Sequence, residues 1–172
     1  MRNTKKLLAT PLAALAVIIC SAVQITPVMA EKGKPLLDRG KLSIGAGISN
    51  NSVGGSVIGG PIDDELGYQI FGAYDLSMIN LMEEVDSSVE FGVMDYGFSG
   101  NSTGIWGTFV VDGNIGGGFG WLARLGLDLG DDSGLMVGAG AVYKINKRID
   151  MRLEYVVRDE VDSLQFNVLY RL

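Results

Sequence analysis

From residue 41 to the last residue, apolar side chains alternate with glycine, polar or charged ones, the period of two that a β-strand imposes on its faces. The end of the chain shows it plainly: Leu164, Phe166, Val168, Tyr170 and Leu172 share one face and Ser163, Gln165, Asn167 and Arg171 the other, with Leu169 out of phase. The same pattern predicts strands over residues 41–49, 66–75, 87–96, 104–111, 119–129, 135–145, 149–157 and 163–172. The fourth has apolar residues on both faces, which leaves its register open. Asp112-Gly113-Asn114 predicts the turn that follows it, and the Gly, Ser and Asn of 50–65, with Pro61, predict a long loop. Residues 76–86 fit either one helical turn or extensions of the flanking strands.

Ahead of the strands, residues 1–30 join a basic start (Arg2, Lys5, Lys6) to an apolar stretch from Leu7 to Ile19 and end on Val28-Met29-Ala30. This predicts a secretory signal cut between Ala30 and Glu31. Ile19 stands where lipoprotein processing at Cys20 would need a small residue. Residues 31–40 read as a short periplasmic tail, and 41–172 as one domain. No later apolar run reaches the roughly 20 residues of a membrane helix, whereas a strand crosses in about 9–11. Strands satisfy their backbone groups in lipid only as a closed barrel. The expectation is therefore all-β: an eight-stranded antiparallel up-and-down transmembrane β-barrel, with both chain ends on the periplasmic side because the strand count is even.

A soluble barrel alternates too, with its apolar face inward. Here the non-apolar face of the first, fifth and sixth strands is largely glycine, which suits a narrow lumen better than a watered surface. Tyr74, Phe119, Tyr143 and Tyr170 gather near the expected periplasmic end of the apolar face, with Tyr68 and Phe166 nearer the other, as interfacial girdles would. With the signal removed, eleven basic residues face twenty acidic ones and no cysteine remains. That balance speaks against nucleic acid as a partner and removes thiol chemistry.

The segment Gly138-Ala139-Gly140-Ala141-Val142-Tyr143-Lys144-Ile145, the turn Asn146-Lys147-Arg148 and the strand from Ile149 to Tyr155 resemble the penultimate hairpin of the small eight-stranded outer-membrane barrels of Gram-negative bacteria. Leu169-Tyr170-Arg171-Leu172 resembles their closing strand, ending in Leu172 where that family usually has Phe. The family contains the outer membrane protein A barrel domain, the X-type proteins and the opacity-like porin family. The resemblance implies a monomer in the cell outer membrane, in contact with its lipid and lipopolysaccharide and delivered by periplasmic chaperones and the outer-membrane assembly machinery.

No histidine is present, whereas outer-membrane enzymes of this architecture resembling palmitoyltransferases, deacylases, phospholipases or omptin proteases use a His base. No enzymatic activity, cofactor or metal is expected. Gly116-Gly117-Gly118-Phe119-Gly120 lacks phosphate-loop spacing and reads as lumen-facing strand glycine. Acids at the expected outer loops (Asp63, Asp64, Glu65, Asp131, Asp132, Asp159, Glu160, Asp162) suit loop solubility, or a rim meeting lipopolysaccharide phosphates through divalent cations.

Parity sends Glu90, Arg124, Asp128, Lys144, Asp150, Arg152, Glu154 and Arg158 into the lumen. Five of these, Glu90, Arg124, Asp150, Arg152 and Glu154, are the expected structural ion-pair network, the alternative being that some of the eight, Asp128 and Arg158 above all, lie at the rims in water. The functional expectation is a structural or surface-exposed envelope role, against adhesin-type binding through the outer loops or a narrow solute channel. For topology, a cysteine at Ser56 is expected to react with an impermeant thiol reagent on intact cells and one at Lys147 to stay protected. The opposite labelling would turn the barrel upside down.

Overall fold

The computed structural model describes residues 37–53, 65–76, 85–99, 102–130 and 133–172. The expected signal, most of the tail, most of the first loop and residues 77–84 of the undecided segment lie outside them. A single 3-10 turn, Arg39–Lys41, leads into eight strands: β1 Leu42–Val53, β2 Glu65–Asp75, β3 Val85–Asp95, β4 Thr103–Gly116, β5 Phe119–Gly130, β6 Gly134–Lys144, β7 Ile149–Val157 and β8 Val161–Arg171. Each pairs antiparallel with the next, and β8 pairs back onto β1 from Ser43↔Arg171 to Val53↔Val161, closing the barrel. Closure leaves no strand edge with unpaired backbone groups.

Burial is inverted relative to a water-soluble barrel. Leu127 and Leu129 are 55% and 67% exposed, while Glu90 and Glu154 are 0% exposed. The outward positions of β5, β6 and β7 carry no charged residue, and Phe119 packs against Tyr143 in a tilted pair at 4.7 Å between ring centroids. An apolar belt of this kind is the surface a bilayer requires, and it disposes of the soluble alternative.

The inward glycines have a packing reason. A methyl at Gly45 would meet the Phe71 ring, one at Gly92 the Trp106 ring, and one at Gly104 the Tyr96 hydroxyl. Small positions on one strand thus receive large side chains from another, and Phe71 and Trp106 meet at 5.4 Å. The lumen is accordingly not all polar. Met94, Met136, Val156 and Leu169 join that aromatic pair, and Val110, Leu122 and Val142 form a second apolar group. Leu169, out of phase for a lipid face, fills the lumen instead, at 3% exposure.

Two local expectations need correction. Asp112-Gly113-Asn114 does not turn the chain. β4 continues through it, Asp112 pairing with Leu122 and Gly113 with Trp121. The reversal comes at Gly117 and Gly118, because Gly116, Gly117 and Gly118 all have φ between 62° and 126°, a region side chains resist. Three consecutive glycines outbid one Asp-Gly pair. Gly117 and Gly118 are therefore turn residues and Gly116 the exposed end of β4, not lumen-facing strand; of that run only Gly120 is a buried strand glycine. The strands also reach further than the alternation suggested, β1 to Val53 and β8 from Val161.

Leu125→Arg, on the lipid face of β5, is expected to destabilise by about 2–4 kcal/mol near mid-membrane. Gly126→Ala, a permissive change by parity alone, would drive its methyl against the Gly107 carbonyl and Thr108. It is expected to cost about 1–3 kcal/mol by overpacking. Urea unfolding in lipid vesicles measures both, and parent-like stability of Leu125→Arg would reverse the face assignment.

Candidate functional site: charged clusters in the barrel lumen

Strand alternation brings side chains from β3, β5 and β7 to one level of the lumen. Glu90 on β3 is the hub. Its Oε1 accepts from Arg152 Nη1 at 2.6 Å and its Oε2 from Arg124 Nη2 at 3.2 Å. Arg124 Nη2 also pairs with Glu154 Oε2. Two acids and two bases therefore close on one another, and none of the four exceeds 6% exposure. The Arg124 guanidinium lies 5.6 Å from the Trp106 ring centroid, an additional cation-π contact.

Neutral amides carry the cluster onto β8 and β2. Asn167 Nδ2 donates to Glu154 Oε1 at 2.9 Å, and Gln69 Nε2 donates to Asn167 Oδ1 at 2.6 Å and to Gln165 Oε1 at 2.9 Å. Gly47 leaves the space that Asn167 occupies. Polar groups confined in a dry lumen are tolerable only when bonded to one another.

Nearer the end away from the chain termini lies a second cluster. Asp128 Oδ2 accepts from Tyr96 Oη at 2.5 Å and from Arg158 Nε at 2.9 Å. Arg158 Nη1 reaches Ser163 Oγ at 2.7 Å, Ser163 Oγ donates to Asn51 Oδ1 at 2.6 Å, and Asn51 Nδ2 donates to the Tyr96 carbonyl at 2.7 Å. Toward the terminal rim, Arg171 Nη2 meets Asp150 Oδ2 at 2.7 Å, and Lys144 stands 3.8 Å from Asp112. A cavity of about 90 Å³ opens there, bounded by Asp75, Asp86, Asp112, Asp150, Arg152 and Arg171.

Of the five residues expected to form one network, Glu90, Arg124, Arg152 and Glu154 come together, and Asp150 does not. It lies beside the opening, and Arg171 on the neighbouring strand reaches it first. Asp128 and Arg158 are not at watered rims: they are 1% and 5% exposed and paired. Asp112, read as a turn residue, faces the lumen from β4. The amides and hydroxyls of Asn51, Gln69, Ser163, Gln165 and Asn167 were missed as network members. Parity already placed the β8 members inward; counting charges alone passed over them.

Among the described residues, no group of three or more His, Cys, Asp or Glu side chains is arranged to hold a metal ion. What the clusters do chemically is fill and cross-link the lumen.

The fold defines the class: an eight-stranded transmembrane β-barrel. No protein-family model matches the sequence, and no curated protein does. Solved structures are similar in fold. A de novo designed transmembrane β-barrel superposes with a TM-score of 0.53 at 13% identity, over 77% of this chain and 96% of that one. Neisserial surface protein A gives 0.52 at 14% identity, over 77% and 97%. The outer membrane protein Ail of Yersinia pestis gives 0.48 at 12% identity, over 76% and 99%. At such identities the likeness establishes architecture alone.

Glu90→Ala takes from the buried Arg152 its carboxylate partner and leaves Arg124 with Glu154 alone, and is expected to cost about 3–5 kcal/mol. A double-mutant cycle should show strong coupling between Arg152 and Glu90 and much weaker coupling between Arg152 and Asp150. Urea unfolding of the refolded single and double variants provides the measurement.

Proposed function

We propose that this protein is a monomeric, non-enzymatic outer-membrane barrel with a structural or surface-exposed role in the envelope. The observation that carries this reading is the charge-paired lumen beneath an apolar belt. Glu90, Arg124, Arg152 and Glu154 fill the level at which a pore would have to pass, and an eight-stranded interior is just wide enough for side chains to fill. The barrel lies in the outer membrane, where its belt meets lipid and its acidic far rim (Glu65, Asp159, Glu160) meets lipopolysaccharide phosphates through divalent cations. Delivery there requires periplasmic chaperones and the outer-membrane assembly machinery. Support for the location comes from the fold it shares with Neisserial surface protein A, together with the export signal expected over residues 1–30.

Membrane fractionation followed by electrophoresis with and without boiling tests this reading. The protein should sediment with the outer membrane and shift mobility on heating; recovery in the soluble wash would overturn it. In planar bilayers the parent should be close to silent, and Glu90→Ala should raise conductance. A parent that conducts steadily would replace the structural reading with a channel.

A further inference from the structure

Apart from Arg124, Arg152 and Arg158, which are buried in the lumen, the Lys and Arg of the described residues lie at one end of the barrel. Arg39, Lys41, Lys144, Lys147, Arg148 and Arg171 all belong to the rim that carries both ends of the described barrel. The sequence places no Lys or Arg in 54–64, 96–103, 130–134 or 159–161, the connections at the other rim.

The terminal rim is itself divided. Arg39 and Lys41 in the 3-10 turn, Arg171 at the end of β8, and Lys147 and Arg148 in the β6–β7 turn form one continuous arc. The backbone ties it together: Arg171 N donates to the Arg148 carbonyl at 2.9 Å and Leu172 N to the Leu42 carbonyl at 3.0 Å. Asp75, Asp86 and Asp112 occupy the facing arc of β2, β3 and β4. Of the acids near the basic arc, Asp150 points into the lumen and binds Arg171, whose side chain remains 46% exposed; Asp38 lies beside Arg39 in sequence.

One contact fixes the depth of the arc. Arg148 Nη1 donates to the Tyr170 hydroxyl at 3.1 Å. Tyr170 stands on the lipid face at the end of β8, paired with Ile44 and Ile149. A tyrosine so placed keeps its ring in the acyl region and its hydroxyl at headgroup level, so the guanidinium it holds lies at headgroup level too. A partner lying away from the membrane is thereby disfavoured.

We propose that this arc binds the anionic headgroup of a phospholipid of the phosphatidylglycerol class in the leaflet around the terminal rim, with Arg148 and Lys147 on the phosphate and Arg171 beside them. A guanidinium offers phosphate a planar fork of donors, and the Tyr170 bond restrains Arg148 before lipid arrives. The proposal rests on the membrane reading above and adds a lipid class and a site to it.

The test uses the mature barrel refolded into bilayers of equimolar phosphatidylcholine and phosphatidylglycerol, released in mild detergent and weighed by native mass spectrometry. The parent should retain phosphatidylglycerol over phosphatidylcholine. Each basic residue at an anionic surface is worth a factor of about five, so Lys147→Gln with Arg148→Gln should cut the preference by about tenfold or more. Asp75→Asn with Asp86→Asn should leave it intact. Heat-shifted mobility, measured on every sample, separates the two levels of the argument. A heat-shifting parent without lipid preference, or a heat-shifting double variant that keeps it, overturns the lipid site alone. Displacement of the bound lipid by an equal concentration of inorganic phosphate would also overturn it, by assigning a free-anion site. A parent that inserts into neither lipid and shows no heat shift overturns the membrane reading as well.

Discussion

Everything in this molecule depends on the pairing of β1 with β8. In hydrocarbon an unpaired backbone amide or carbonyl costs several kcal/mol, and an open eight-stranded sheet would present two full edges of them. The ladder from Ser43↔Arg171 to Val53↔Val161 removes both. Once the sheet is closed, each side chain faces either lipid or a narrow lumen. Alternation then stops being a preference and becomes an obligation, with apolar groups outside and tightly packed or paired groups inside.

The lumen meets that obligation by complementarity of size and of charge. Gly45 and Gly92 yield to Phe71 and Trp106, and Gly47 and Gly140 to Asn167 and Glu154. Glu90 holds Arg124 and Arg152, and Glu154 holds Arg124 and Asn167. Buried ion pairs add little net stability over well-packed apolar side chains, so stability alone is a poor reason for their presence. Register is a better one. A one-residue slip turns every side chain to the opposite face, and on β7 it would move Asp150, Arg152 and Glu154 together into lipid, at about 2–4 kcal/mol for the arginine at the midplane alone. The charges make the wrong register prohibitive.

This logic accounts for what the sequence made legible. On β5, β6 and β7 the outward residues are uninterrupted apolar and the inward ones are glycine or charge for much of their length, so parity alone gave face and strand. It weakened where the lumen itself is apolar: Trp106, Thr108 and Val110 point inward from β4 between Ile105, Phe109 and Val111 pointing out. Leu169 looked like an error in the pattern for the same reason. At Asp112-Gly113-Asn114 a local turn signal competed with a run of three glycines that begins two residues on, and backbone freedom at Gly116–Gly118 prevailed. The site was legible to a similar depth. Parity names the residues that enter the lumen, but the stagger of the closed barrel decides which of them meet. Glu90 on β3 meets Arg152 on β7 across the interior, a pairing invisible to spacing, while Asp150, two residues from Arg152, is taken by Arg171.

Charge along the barrel axis follows from the same separation of environments. Three arginines, Arg124, Arg152 and Arg158, are consumed by acids within the lumen. Among the described residues the other bases of the barrel all lie at the terminal rim, and the connections of the far rim contain no Lys or Arg. The basic arc of the terminal rim and the acidic far rim therefore present opposite signs to the surroundings. On the lipid reading proposed above, anionic phosphate is attracted by the basic arc and repelled by the far rim. An inserted barrel consequently experiences different electrostatics at its two rims, and its orientation in a bilayer carries an electrostatic preference.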